Sequence, residues 1–178
     1  MNKIHPTAII HPTVKIGEGN FIGPYVVIEE NVIIGNNNYF GPFCIIGDIG
    51  ESINFFNSAR KGVEIGDNNR FTKQVTIDSG TVLPTKIKNN TLWLKNAHAG
   101  HDVVANDFIQ VRCNGIIGGH VELKENAKIF LNAIIHPRLV VPKSCIIGMG
   151  AVVVKKTELI ENGVYIGSPA RLLRINNI

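Results

Sequence analysis

From Ile87 through Trp93, Ala99, Ala105, Val111 and Ile117, and on without a change of phase to Val153, every sixth residue is apolar. With 44% of residues apolar, a run of that length in fixed phase arises by chance on the order of once in 10⁴ trials. A period of six fits neither the helical turn nor the simple alternation of a strand. It is the signature of a parallel β-helix, in which six residues make one flat side and one corner. Three sides close a triangular coil, so residues eighteen apart stack at the roughly 4.8 Å spacing of hydrogen-bonded strands. A second inward column, four residues after each apolar station, is mostly small, as at Ala97, Val103, Gly115, Ala127, Ala133 and Ala151. Small side chains let a narrow prism close. The predicted fold class is therefore all-β, a parallel β-helix of hexapeptide repeats over residues 1–154 with a short C-terminal cap over 155–178.

The first block holds the phase from Ile4 to Ile46, with glycines after many stations where the corner needs permissive backbone angles. Asn20 and Asn38 lie eighteen apart on the inward column and predict a short hydrogen-bonded ladder. Asp48 to Gly62 then breaks the period, and a shorter break runs from Ser79 to Lys86. Solenoids carry such insertions as loops from a corner, often on the binding face. The tail loses the period and must cover the last open coil, because bare strand edges invite aggregation.

The stacking rule brings together residues that are distant in the text. Asp102, His120 and Arg138 fall eighteen apart, as do His101, Gly119 and Pro137, and Gly100, Gly118 and His136. Three successive coils thus place His101, Asp102, His120, His136 and Arg138 at one corner, with His98 just before it. Four of the six histidines converge there, an arrangement suited to proton transfer near neutral pH.

A net charge of +4 and a pI near 9 come without a dense basic patch or interleaved aromatics. Nucleic-acid binding is not predicted, and small anionic ligands suit the mild excess better. The N-terminus has no apolar leader and no run long enough to span a bilayer, so no membrane insertion and a cytoplasmic location are expected. Three scattered cysteines make no disulfide framework. Cys44 and Cys145 fall on the small inward column, and no cysteine spacing suggests zinc.

The isoleucine-glycine hexapeptides, the phase break, and Asn96-Ala97-His98-Ala99-Gly100-His101-Asp102 followed by Gly118-Gly119-His120 resemble the UDP-N-acetylglucosamine O-acyltransferases of lipid A synthesis. The resemblance implies a homotrimer of left-handed β-helices with active sites between subunits. Carried over residue by residue, it makes His101 the general base, Asp102 its assistant and the Gly119 N–H the oxyanion hole. His98, His120 and His136 would then line the substrate cleft beside Arg138.

Two departures stand out. Asp78 replaces a family histidine after Val75-Thr76-Ile77, at a position expected to touch substrate. In place of the family's long helical C-terminal domain, Gly167-Ser168-Pro169-Ala170-Arg171 is similar to the closing loop of acetyl-CoA-dependent hexapeptide acetyltransferases. By that likeness these five residues would bind the cofactor, acetyl-CoA, and the acceptor would be a nucleotide-linked amino sugar of surface polysaccharide synthesis.

Acyl transfer from a thioester needs a base for the nucleophile's proton and donors aimed at the carbonyl oxygen. His101 and Gly119 meet those needs. Neighbours in extended chain point apart, so Asp102, Asp78 or a backbone carbonyl remain alternative partners for His101. The rival readings are acylation from acyl carrier protein, a metal-dependent carbonic anhydrase of the same fold, and a non-catalytic solenoid. The carbonic anhydrases use a His-x4-His pair, which does not occur here, and no metal site is predicted. An ice-binding type of surface would need repeated Thr-x-Thr rows, which are missing.

Overall fold

The chain winds as a left-handed parallel β-helix in the computed structural model, which describes residues 1–51 and 60–176. Three sheets of short strands form the sides of a triangular prism. The first face has ten strands and opens with Lys3–Ile4. The second has eight and opens with Ile9–Ile10, and the third has seven and opens with Lys15–Ile16. Pairing is parallel and in register, so that Ala99, Ile117, Ile135 and Val153 follow one another up the second face.

The six-residue stations are the core. From Ile22 to Val153 they lie within a single buried cluster, whereas Ile4, on the open first coil, is 49% exposed. Three successive stations of the first face are aromatic and fill the prism: Phe40 stacks on Phe71 at 4.9 Å, and Phe71 on Trp93 at 6.3 Å. Cys44 and Cys145 are fully buried, and burial pushes their thiols up to about 11 and about 12.

The asparagine ladder is longer than the sequence suggested. Asn38 donates its N–H to Asn20 Oδ1, Asn69 to Asn38 Oδ1 and Thr91 to Asn69 Oδ1, each at 2.8–2.9 Å. Each buried amide so satisfies the next coil's backbone.

At the regular corners from Gly19 to Gly150 the second residue has left-handed backbone angles, with non-glycine φ between 54° and 64°. Asparagine recurs there, at Asn31, Asn37, Asn68, Asn90, Asn96 and Asn114, because its short polar side chain tolerates that conformation.

The coil repeat is eighteen in the first block, but thirty-one from Asn38 to Asn69 and twenty-two from Asn69 to Thr91. Both excesses leave from the corner between the second and third faces, after Ile45–Asp48 and after Thr76–Asp78. Residues 52–59 of the first excursion, expected as a loop from a corner and often on the binding face, lie outside the described residues.

The tail closes the prism with an antiparallel hairpin, Gly163–Ile166 against Arg171–Ile175, whose first strand continues the first face. Among the described residues no helix is long and apolar enough to cross a membrane.

Candidate active site

After the strand His98–Ala99 of the second face the chain turns through Gly100, His101 and Asp102 toward the third. Asp102 is the left-handed residue of this corner, with φ 59°. That angle folds its carboxylate back onto its neighbour, and His101 Nδ1 lies 2.8 Å from Asp102 Oδ2. The extended-chain argument against this pair therefore does not apply, because Asp102 is in a turn. Asp78, weighed as a partner for His101, instead stands 3.9 Å from His98 Nε2.

The second phase break holds this carboxylate. Thr81 donates its N–H and hydroxyl to Oδ2 at 3.0 and 2.7 Å, and Val82 and Leu83 donate their N–H groups to Oδ1 at 2.9 and 2.8 Å. Thr85 Oγ1 accepts the N–H of Asp102 at 2.9 Å. Burial alone would raise the Asp102 pKa. The donors from Leu83, Thr81 and His101 outweigh it and hold the carboxyl well below the usual carboxylate range. The charged carboxylate fixes the proton of His101 on Nδ1, so Nε2 is the basic nitrogen.

Nε2 lies against Gly119. A Cβ on Gly119 would stand 2.7 Å from it, and a Cβ on Gly50 would stand 2.8 Å from His101 Cβ. A Cβ on Gly100 would stand 2.9 Å from the Gly119 nitrogen. The three glycines thus make room for the imidazole and leave the Gly119 amide bare.

In four coils of the corner between the third and first faces the equivalent N–H is covered. Glu18, Asn36, Asp67 and Asn89 each donate theirs to an Asn or Asp side chain stacked one coil on, at 2.6–2.8 Å. At the His101 corner the column reads His101, Gly119, Pro137 and offers no such acceptor. Among the described residues the buried Gly119 N–H donates to nothing. A base and an open donor thus face the same space.

Residues 13–48 match the model of the bacterial transferase hexapeptide family (six repeats). The fold is shared with UDP-N-acetylglucosamine acyltransferases of known structure. That of Bacteroides fragilis is 27% identical with a TM-score of 0.85, over 97% of this chain and 74% of that one. The Francisella novicida enzyme is 26% identical with a TM-score of 0.88, over 97% and 70%. The Campylobacter jejuni enzyme is 25% identical with a TM-score of 0.83, over 97% and 75%. By these likenesses the chain is an acyltransferase.

His120 meets His101 edge to face at 4.9 Å, with Nε2 3.8 Å from Asp102 Oδ2. Burial lowers its pKa, Asp102 opposes that, and Arg138 and His101 add to it. His101, Asp102 and His120 hold their ligand atoms within 4.8 Å of one another. The Asp102 oxygens already accept five hydrogen bonds, which exhausts their lone pairs and leaves the trio unsuited to a cation.

The corner is smaller than the sequence predicted. His136 and Arg138 occupy its column but are exposed, and His136 turns its Nδ1–H to the Pro137 carbonyl at 2.8 Å. Proline at the first corner position fixes that coil's backbone, and no contact joins His136 to the other imidazoles among the described residues.

His98 lies on the second face, where Nδ1 is 2.8 Å from Thr76 Oγ1. It borders a cleft of about 530 Å³ with Ile45, Glu51, Thr76, Asp78 and Ile116. Burial lowers the His98 pKa, while the Glu51 charge raises it.

The loop Gly167 to Arg171 is the hairpin turn of the cap. Gly167 O accepts from Val152 N and Ala170 N donates to Val152 O, at 3.0 and 2.8 Å, so the loop caps the second face above Val152–Val153.

Sequence reading missed the Thr81, Val82, Leu83 and Thr85 clamp and the close approach of Gly50. The only signal for the clamp was the phase break itself.

Proposed function

We propose that the chain transfers an acetyl group from acetyl-CoA to the amine of a nucleotide-linked amino sugar, in the cytoplasm, for surface polysaccharide synthesis. The observation that carries the acyl-transfer chemistry is the imidazole of His101 between a charge-stabilised carboxylate and the bare Gly119 amide. His101 Nε2 takes a proton from the nucleophile as it attacks the thioester carbonyl, and Asp102 stabilises the imidazolium that forms. The Gly119 N–H receives the oxygen as it becomes an oxyanion. His101 then returns the proton to the departing thiolate. His120 borders the same space, and His136 and Arg138 on the outer column meet the anionic part of the nucleotide.

The acetyl-CoA assignment is supported by the hairpin loop of Gly167, Ser168, Pro169, Ala170 and Arg171. It lies three coils beyond Gly119 along the second face, roughly 14 Å at the spacing of paired strands. An extended thioester arm spans such a distance, with Arg171 near the cofactor's phosphates. The homotrimer is supported by the outer column of the second face, where Ile9, Val27 and Ile45 below Thr76 and His98, and Ile116, Ile134 and Val152 above them, form two apolar patches. Patches of this kind mark protein interfaces.

A second reading is favoured by the similarity to UDP-N-acetylglucosamine acyltransferases: transfer of a longer acyl chain from acyl carrier protein to a sugar hydroxyl. Purified protein is offered acetyl-CoA with a panel of dTDP- and UDP-linked amino sugars, and free thiol is followed. Turnover only with long-chain acyl carrier protein establishes the second reading. His101→Ala is expected to lower kcat/KM by roughly 10²–10⁴. A loss within about threefold refutes the base assignment.

A further inference from the structure

The cleft below the candidate base contains an ionisable pair that the acyl-transfer step does not use. Asp78 is buried to 5% exposure against the segment Ile49 to Glu51. Its Oδ2 accepts only a long hydrogen bond from Glu51 N–H, 3.4 Å, and stands 3.9 Å from His98 Nε2. Its Oδ1 accepts none among the described residues. The register that sets Thr76 against His98 and Ile77 against Ala99 carries Asp78 to Gly100 and then to Gly118. Asp78 thus stacks under Gly100, whose column continues to Gly118, the residue before Gly119.

We propose that the Asp78 carboxylate, with His98 beside it, receives the ammonium group of the acyl acceptor and removes its first proton, which makes the cleft a site for an amine rather than a hydroxyl compound. The proposal rests on the acyl-transfer reading above and fixes its acceptor class.

Proton accounting separates the two kinds of acceptor. A hydroxyl group loses one proton on acylation, and one base suffices. An amine arrives as an ammonium ion and loses two, one before it has a lone pair and one after the carbon–nitrogen bond has formed. In the first step an ammonium N–H bond breaks and an O–H bond forms on Asp78. The freed lone pair then attacks the thioester carbon, and His101 removes the second proton and delivers it to the thiolate as the carbon–sulfur bond breaks. Asp78 returns its proton to water when product leaves.

An ordinary carboxyl near pH 4 is too weak a base for the first step, since an amine flanked by electron-withdrawing oxygens titrates nearer the ~8 of an α-amino group than the ~10.4 of lysine. Burial raises the Asp78 pKa to about 7, partly offset by the Glu51 N–H, and the charges of Glu51 and Asp48 add to the rise. The mismatch thus shrinks to about one unit. Burial also favours a neutral amine beside a neutral acid over the ion pair.

Asp48, Glu51 and His98 are the other titratable groups that face Asp78 among the described residues. Arg60 is 2.8 Å from Glu29 and 3.5 Å from Asp48, so one guanidinium serves two carboxylates and the cleft keeps negative charge around Asp78.

The test uses the amino-sugar nucleotide that the acceptor panel identifies. Asp78→Asn and His101→Ala are each assayed against the native protein at pH 7 and pH 9. Asp78→Asn is expected to lose tenfold or more in kcat/KM at pH 7 and to recover to within about threefold of native at pH 9, where the acceptor is already a free amine. Recovery also certifies that the variant is folded. His101→Ala is expected to stay impaired at both values. If Asp78→Asn is within threefold of native at pH 7, or equally impaired at both, the ammonium-port role is overturned while the His101 result stands. If no amine acceptor is turned over by the native protein, the reading beneath the proposal falls.

Discussion

Gly119→Ala tests the geometry of the corner with one methyl group. The added carbon would stand 2.7 Å from His101 Nε2 and 2.9 Å from Cε1. A carbon–nitrogen contact settles near ~3.5 Å, so the ring must retreat by roughly 0.8 Å. It cannot retreat freely, because Gly50 backs its Cβ and the clamped Asp102 holds its Nδ1. A misplacement of about 1 Å at a reacting group costs on the order of 10²-fold in rate, and a 10²-fold fall in kcat/KM is the expected result.

Gly119 is outside the left-handed region, so alanine suffers no backbone strain there. Its smaller unfolded-state entropy contributes about 0.4–1 kcal/mol in favour of the fold. The melting temperature should therefore hold within about 4 °C. The assay follows thiol release from acetyl-CoA with the acceptor that the panel identifies, alongside calorimetry. Native kcat/KM in a folded Gly119→Ala protein would refute the placement of the acyl carbonyl beside Nε2.

Asp102→Asn should lower kcat/KM by roughly 10²–10⁴, and it should also change acid stability. The folded pKa of Asp102 is depressed, so its contribution is fully present above the unfolded value of about 3.9 and is lost as pH falls below that toward the folded value. Urea melts below pH 4 should therefore show a shallower decline for the asparagine variant than for native protein. Thr81→Val removes a hydroxyl bond to a charged acceptor and should destabilise by about 1.5–3 kcal/mol while lowering kcat. Thr81→Ser should restore both, and failure of that rescue would count against the clamp. Asn69→Ala strips the ladder of its 2.9 Å bond from Thr91 N–H. It should cost about 1–3 kcal/mol by chemical denaturation with kcat/KM unchanged.

The prism was legible in the sequence because stacking makes each inward position answer to the same constraint coil after coil. Ile117 and Ile135 were placed by arithmetic alone. The corner was legible only as a column. The sequence puts His120 in the Asp102 column and His136 in the Gly100 column, but the column alone does not say that His120 turns in toward His101 while His136 turns out to the Pro137 carbonyl. The His101 and Asp102 pair was obscured for a related reason. Sequence neighbours meet only when the second takes a left-handed angle, and that angle comes from the turn. The clamp over Asp102 was visible as a break in phase, but a break says where a loop leaves and not what its amides touch.

Both departures from the eighteen-residue coil leave the prism at one edge, the edge that also presents His101, Asp102 and Gly119. The other two edges keep a constant step, so each coil above and below finds its neighbour undisturbed. Extra length at this edge is absorbed sideways and is not transmitted along the stack. The step of the stack is thus indifferent to how long the segments at this edge are, while what those segments touch, as where Thr81, Val82 and Leu83 hold Asp102, is settled locally.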